Sequence, residues 1–385
     1  MGNNEGIEEI RSRLRAQALE KKRNLYDALD NRKSKFRGCM LGGAVGDALG
    51  YVVEFWPEQR IFETYGSGGI TRYPGKRENA LISDDTQMTL FTANGLILGA
   101  VDNRSNYVQH IDECYRDWLK TQSKDDGKPS EGAFSILCSV PELNHCRAPG
   151  NTCLSTVGTG ASIFAPKNDS KGCGGVMRVA PIGLYFANGP FTADRTAICA
   201  AEAAALTHGH ELGYLPAAFL AYLIRLLVLG TEKDLRAAVE KTKDEIARLF
   251  CGAKYIGELT KKVNDALILS RSTKEPLDVI HALGEGWVGE EALAIALYAA
   301  LKYDNDFERA IVTAVNHKGD SDSTGAITGN ILGAYLGIDA IPSHYLERLE
   351  LERLINETAV DLFRAAYELE GDQNYKNMLT MKYSK

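Results

Sequence analysis

The sequence lacks the marks of several common protein classes. Its eight cysteines include no CxxC pair and no dense framework, so we expect reduced, mostly buried thiols and a cytoplasmic protein. The N-terminus is polar and charged, unlike a signal peptide. The longest apolar run, at 215–230, is short and contains Arg225, which predicts a core helix rather than a membrane span.

Positive charge is also scarce beyond the first 37 residues. Residues 1–37 hold ten Lys and Arg against six Asp and Glu, a net charge of +4, so the rest carries −11 of the total of −7. An acidic body argues against general nucleic-acid binding, which requires a basic face.

Alternating strand patterns are missing too. Apolar residues recur at spacings of three and four, which predicts helices, and the 44 % apolar content is enough for a large core. We therefore predict an all-α protein with residues 38–385 in one large domain, preceded by a helical extension at 1–37. The helical segments lie at 5–35, 107–120, 190–206, 215–229, 232–250, 257–270, 290–302, 306–315 and 345–370.

What the sequence does contain is a pair of acidic helix starts. Ser and Asp often only cap helices, and a single such segment would be interpreted in that way. Two copies of the pattern instead predict one shared site. The first copy is Ser83, Asp84, Asp85 and Thr86, and the second is Asp320, Asp322, Ser323 and Thr324.

If these segments meet, their carboxylates repel one another unless cations neutralise them. Neither segment contains His or Cys, and oxygen donors alone favour Mg²⁺ or Mn²⁺ over zinc. Bridging carboxylates would favour a pair of ions, which can orient a diol and activate a water molecule.

Glycines spaced four residues apart occur in two predicted helices, one before the first acidic segment and one after the second. On a helix this spacing produces a face almost without side chains, which another backbone can approach closely. The two faces could pack against each other or against apolar helices. Glu54, in an apolar setting after the first face, is either a buried functional acid or a carboxylate that reaches solvent. The two faces are Gly42, Gly46 and Gly50, and Gly325, Gly329 and Gly333.

The segment SKGCGGVMRVAPIG at 170–183 exposes backbone amides at Gly172, Gly174 and Gly175, which suits phosphate or another anion. A tight turn is the alternative reading, and the absence of GxxxxGK[ST] spacing argues against a nucleoside triphosphatase. His208 could contact a ligand or be an ordinary buried polar group.

Taken in order, the motifs GDALG with Glu54, SDDT, RAPG, GG-MR-AP, TH and GDSDST resemble the ADP-ribosylglycohydrolase family, which includes the dinitrogenase reductase-activating glycohydrolases. The resemblance runs from about Gly38 to about Gly337. It implies an all-α fold, two Mg²⁺ or Mn²⁺ ions and removal of ADP-ribose from modified protein side chains.

The same resemblance implies roles for individual residues. Glu54 falls beside the scissile bond, and either Asp85 or Glu54 would accept a proton from water. Cys173 departs from the Asn often found in the diphosphate loop. The implied metal ligands are Ser83, Asp84, Asp85, Asp320, Asp322 and Ser323, and the implied substrate-binding residues are Ser170, Lys171, Gly172, Gly174, Gly175 and His208.

Three functions remain open at this point. The first is a hydrolase of arginine-linked ADP-ribose, with serine-linked or free ADP-ribose derivatives as close alternatives. The second is an immunity protein whose basic N-terminal arm blocks an ADP-ribosyltransferase toxin, with or without hydrolysis. The third is a metal-dependent phosphoester hydrolase. For the arm itself, the simpler hypothesis is an amphipathic helix packed on its own domain.

Overall fold

A computed structural model describes residues 7–75, 79–102, 106–123, 128, 132–188 and 191–384, except the side chains of residues 7–12 and 18. Within these residues the only extended pairings are four isolated bridges, so the predicted all-α fold is confirmed. The described α-helices are α1 (Ile7–Gly50), α2 (Glu58–Tyr65), α3 (Asp84–Val101), α4 (Tyr107–Gln122), α5 (Asn151–Thr156), α6 (Ala180–Tyr185), α7 (Ala193–Ala205), α8 (Glu211–Leu229), α9 (Leu235–Leu249), α10 (Ile256–Leu269), α11 (Pro276–Leu283), α12 (Gly289–Lys302), α13 (Phe307–Val315), α14 (Ser321–Leu336), α15 (Ser343–Leu346), α16 (Glu352–Tyr367) and α17 (Gln373–Tyr383).

The two glycine faces pack against each other along α1 and α14, which run antiparallel. A Cβ added at Gly42 would lie 2.5 Å from the carbonyl oxygen of Gly329, and one added at Gly46 would lie 2.0 Å from that of Gly325. Only glycine permits this approach of two backbones. The packing places the C-terminal end of α1 against the start of α14.

Helix α8 lies in the core between α7, α6, α12 and α14. By length and composition it could cross a membrane, but 89 % of its most apolar window is buried inside the protein. A closely packed environment of this kind accounts for its apolar sequence, as expected for a core helix.

The N-terminal extension is continuous with the domain, because α1 passes through residue 37 without a break. Leu14, Leu19 and Leu25 are 57 %, 69 % and 60 % exposed, and among the described side chains of α1 packing against the core begins at Leu29. Phe36 is fully buried. The expectation that the arm packs on its own domain is therefore wrong for residues 14–17 and 19–26, whereas the side chains of residues 7–12 and 18 lie outside the described part.

Two predicted segments end differently from expectation. The helix expected over 345–370 is divided at Leu351, whose positive φ of 59° cannot continue an α-helix. The segment at 144–160, expected to be a loop, contains the short helix α5. Backbone conformation at a single residue decided the first difference.

Candidate active site

The starts of α3 and α14 meet at one site. Ser83 caps α3, with its hydroxyl accepting the backbone N–H of Asp85 at 3.2 Å. Asp320 caps α14 by accepting the backbone N–H of Ser323 at 3.2 Å. The Ser323 hydroxyl donates to Oδ2 of Asp85 at 3.4 Å and so links the two starts. Capping and the shared site are thus compatible readings.

Asp47, on α1, holds the start of α3 in place through hydrogen bonds. The backbone N–H of Ser83 donates to its two carboxylate oxygens at 3.0 and 3.1 Å, and both the backbone N–H and the hydroxyl of Thr86 donate to Oδ2. Sequence reasoning missed this fully buried residue. The available signal was a carboxylate next to Gly46, on a helix whose glycine face was predicted to pack closely against another element.

A cavity of 300 Å³ opens over the carboxylates. A larger one of 430 Å³, beside Glu370 and Lys376, shares no residue with it. Because five buried carboxyl groups line the smaller cavity, whereas Glu370 and Asp372 of the larger one are exposed, we take the smaller cavity as the candidate active site. Of the sequence-predicted site residues, it is lined by Glu54, Asp84, Asp85, Gly172, Gly174, His208, Asp320, Asp322 and Ser323.

Four residues expected at the site do not line this cavity. The Ser83 hydroxyl is engaged in capping α3. Ser170 and Thr152 share a hydrogen bond of 3.0 Å between their hydroxyls, and Lys171 Nζ forms an ion pair with Oε1 of Glu290 at 2.5 Å. Gly175 packs against the backbone of Gly213. That these four residues bind a ligand stays a prediction.

Burial and mutual repulsion act together on the carboxyl groups. Burial, followed by the charge of Asp322, raises the pKa of Asp47 to about 7 and that of Glu54 to about 11. The same two causes, in the same order, raise the pKa of Asp84, Asp85 and Asp320 well above the usual range of Asp. Nearby positive charge would stabilise the ionised forms.

The donor atoms fit hard divalent cations. Oδ1 of Asp85 and Oε2 of Glu54 are buried and have no hydrogen-bond partner among the described residues. Oxygen ligands of this type suit Mg²⁺ or Mn²⁺. Within the same residues, however, no three His, Cys, Asp or Glu side chains already surround one point. Coordination would therefore require these side chains to move towards one another, which a cation favours by cancelling their mutual repulsion.

The glycine-rich loop forms one wall of the cavity. Cys173–Gly175 make a short 3₁₀ turn, and the backbone N–H of Cys173 donates to the carbonyl of Trp287 at 3.2 Å. A Cβ at Gly174 would lie 2.9 Å from Cε1 of His208, so this position requires glycine for close packing. The thiol of Cys173 donates to Oδ2 of Asp320 at 2.7 Å, which ties the loop to the acidic cluster.

His208 is buried beside this loop and is held in place by a chain of hydrogen bonds. Its Nδ1 lies 2.8 Å from the hydroxyl of Thr207, which accepts a 2.6 Å hydrogen bond from Nη2 of the buried Arg178. Burial, followed by the charge of Arg178, lowers the pKa of His208 to about 3. The imidazole is therefore neutral at physiological pH and serves as a hydrogen-bonding group.

Comparison with known proteins identifies the family of the chain. The family model described as ADP-ribosylglycohydrolase matches residues 28–372. The chain belongs to the ADP-ribosylglycohydrolase family. The match begins ten residues before the resemblance seen in the sequence motifs and extends to residue 372, beyond their end near Gly337.

Individual ADP-ribosylglycohydrolase relatives cover most of the chain. The ADP-ribosyl-[dinitrogen reductase] glycohydrolase of Rhodospirillum rubrum is 28 % identical over 82 % of this chain and 90 % of its own length. The ADP-ribosylarginine hydrolase Tri1 of Serratia proteamaculans is 25 % identical over 87 % and 80 %. A solved structure titled ADP-ribosylglycohydrolase-related protein complex has a TM-score of 0.56 and 25 % identity, covering 88 % of this chain and 99 % of its own.

Membership settles the class of chemistry. The protein is an ADP-ribosylglycohydrolase-type enzyme with the all-α fold of that family. Among the three functions left open by the sequence, the phosphoester hydrolase therefore has no support. The individual roles of the metal-ligand, proton-acceptor and substrate-binding residues remain predictions from their positions in the sequence.

Proposed function

We propose that the enzyme hydrolyses the bond between ADP-ribose and arginine side chains of modified proteins, and that two Mg²⁺ or Mn²⁺ ions assist it. The observation that carries the proposal is the acidic cavity of Glu54, Asp84, Asp85, Asp320 and Asp322 beside a glycine-rich loop. The name of the Serratia proteamaculans relative supports arginine as the linked residue.

Each part of the cavity has a place in this reaction. The backbone of the glycine-rich loop and the neutral imidazole of His208 are suited to hold a diphosphate. The carboxylates are suited to stabilise positive charge that develops at ribose C1 as the leaving group departs. When bound, divalent cations would supply charge neutralisation and Lewis acidity at the ribose hydroxyls. The ligands we assign to them are Asp84, Asp85, Asp320, Asp322 and Ser323.

Bond making and breaking can be assigned to atoms. The C1–N bond breaks with its electron pair moving to the guanidine nitrogen, and a water oxygen bonds to C1. The proton that this water loses passes through the carboxylate of Asp85 or Glu54 to the departing guanidine, which leaves as guanidinium. Both carboxylates have a buried oxygen without a hydrogen-bond partner among the described residues, as a proton acceptor requires.

The direct test incubates the protein and Mg²⁺ or Mn²⁺ with arginine-modified and serine-modified proteins. Release of free ADP-ribose from the arginine-modified protein, and its loss on chelation, is the expected result. Release from the serine-modified protein alone would refute the linkage, and activity indifferent to chelator would refute the metal dependence.

A second candidate function concerns the N-terminal arm. The exposed side chains of Leu14, Leu19, Leu25 and Tyr26 favour an arm that binds a partner protein such as an ADP-ribosyltransferase. Pull-downs with a candidate transferase should lose the complex when Leu14 and Leu25 are both changed to Asp. Full binding by this double variant would exclude the arm as the docking element.

A further inference from the structure

Two aromatic side chains stand exposed at the mouth of the acidic cavity. Phe55 is 66 % exposed and Trp287 is 37 % exposed, although both are large apolar residues. Their rings stack with centroids 5.5 Å apart and planes 21° from parallel. Both belong to the cavity wall, and Phe55 directly follows Glu54. The two rings, here called the aromatic pair, have no role in the reaction described above.

The backbone presents Phe55 to solvent at a cost. Its φ is 64°, a conformation that residues with side chains rarely adopt and that glycine would adopt more easily. The next residue, Trp56, is anchored by stacking on Tyr65 and by the guanidinium of Arg60, 3.6 Å from its ring centroid. The turn thus directs Trp56 inward and Phe55 outward. Strained positions of this kind concentrate at functional sites.

Trp287 is oriented by its own neighbours. Its carbonyl accepts the backbone N–H of Cys173 at 3.2 Å, and the carbonyl of Glu285, two residues earlier, accepts the backbone N–H of Asp320 at 2.8 Å. Glu285 is in turn paired with Lys318 at 2.8 Å. Trp287 is therefore held at the junction of the glycine-rich loop and the turn before α14.

We infer that the aromatic pair binds the arginine guanidinium to which ADP-ribose is attached and thereby selects guanidine-linked substrates. This inference rests on the function proposed above. A planar cation is attracted to the face of an aromatic ring, and Arg in particular stacks on such faces. The chain itself shows this geometry, since Arg178 lies 4.4 Å from the ring centroid of Tyr115.

The rest of the substrate has a separate place. A second cavity of 370 Å³ shares Asn151 and Thr152 with the acidic cavity. Neither Phe55 nor Trp287 lines it. A diphosphate held by the loop can continue into this second cavity, which leaves the aromatic pair, beside Glu54, for the group on the other side of the scissile bond.

The test separates the leaving group from ADP-ribose. Wild type, Phe55→Ala, Phe55→Leu, Phe55→Tyr and Trp287→Ala are compared in KM and kcat for an arginine-linked substrate and in Kd for free ADP-ribose with Mg²⁺. Phe55→Ala retains a side-chain-bearing residue at the positive φ, and Phe55→Leu retains apolar bulk without a ring. Phe164→Ala is the matched control, because Phe164 is 90 % exposed and lines neither cavity.

We expect Phe55→Ala, Phe55→Leu and Trp287→Ala to raise KM about tenfold while kcat changes little, and Phe55→Tyr to stay near wild type. The Kd for ADP-ribose should stay within about twofold. An unchanged KM, or an equal rise in the Kd for ADP-ribose, would overturn the inference while leaving the proposed function intact. Absence of hydrolysis of any linkage by the wild type would instead defeat the proposed function, and the inference with it.

Discussion

Replacing Gly46 by alanine tests how the packing of α1 and α14 supports the site. A Cβ at this position would lie 2.0 Å from the carbonyl oxygen of Gly325, whereas ordinary contact begins at 3.4 Å, so the helices must separate by about 1.4 Å. The obstacle is backbone in the middle of a helix, which cannot rotate away as a side chain can. Gly42 and Gly329 form the same contact one turn further along, so the separation has to extend along both helices.

The size of the effect follows from two opposing contributions. Insertion of a methyl group into a tightly packed interior costs about 1 to 3 kcal/mol, and a rigid backbone obstacle places this site at the upper end. Alanine in place of glycine within a helix returns up to about 1 kcal/mol. We therefore expect Gly46→Ala to lower the free energy of unfolding by about 2 kcal/mol.

The functional consequence should exceed the loss of stability. Asp47 is adjacent on α1 and holds the start of α3 through Ser83 and Thr86, while α14 carries Asp320. Separating the helices by about 1 Å moves the two groups of carboxylates apart. Displacements of this size at a catalytic site cost on the order of 100-fold in rate. Metal affinity should fall as well, because the proposed ligands lie at the start of α14 and at the start of α3, which Asp47 of α1 holds.

The assay combines denaturant unfolding with Mg²⁺ titration and hydrolysis of an arginine-linked substrate. Gly257→Ala on α10 is the control, since an added Cβ there meets no atom of the described residues within 4 Å. It should be neutral or slightly stabilising and fully active. A Gly46→Ala protein with the stability, Mg²⁺ affinity and activity of the wild type would refute the reasoning.

Three further predictions concern charge and the arm. Asp320→Ala and Asp84→Ala should each lower hydrolysis by more than about 100-fold and weaken Mg²⁺ binding, because each removes an anionic ligand; unchanged turnover in both would refute the binuclear site. The pKa of Glu54 is raised from 4.5 in the unfolded chain to about 11 in the folded protein. Between these two pH values the folded state keeps a proton that the unfolded state has lost, so stability must fall as the pH rises. Denaturant unfolding of the metal-free protein should show that the free energy of unfolding falls by about 1.4 kcal/mol from pH 7 to 8 for each proton that only the folded state retains, and Mg²⁺ should reverse this loss. A free energy of unfolding that does not change with pH would contradict the prediction. Buried His208 contributes little in this range, since its folded pKa is about 3 and its unfolded pKa of 6.5 leaves it mostly neutral above pH 7. Deletion of residues 1–27 should leave melting temperature and hydrolysis of a small substrate unchanged, whereas deletion of residues 1–37 also removes buried Phe36 and should cost about 3 to 5 kcal/mol or more; an insoluble shorter deletion would show that the arm belongs to the core.

Much of the fold was readable from local patterns. Apolar spacing identified the helices because burial of one face imposes a period of 3.6 residues wherever the helix lies. Glycine spacing identified the α1 and α14 faces for a similar reason, since close approach of two backbones excludes every Cβ along the contact. The acidic starts of α3 and α14 were readable because capping is a property of adjacent residues. That the two helix starts meet could be inferred only because two such acidic starts in one chain are rare.

Other features depended on contacts between distant parts of the chain. Lys171 lies in the predicted diphosphate loop but pairs with Glu290, which is 119 residues away. Asp47 is tied to Ser83, and Phe55 meets Trp287 across most of the chain. The exposure of Leu14 and Leu25 was equally hidden, since an amphipathic pattern does not specify what covers it. The sequence by itself therefore determined the helices, their caps and the family of the enzyme. Only the tertiary structure decided which side chains face the cavity, because the direction of a side chain depends on neighbours that no local pattern contains.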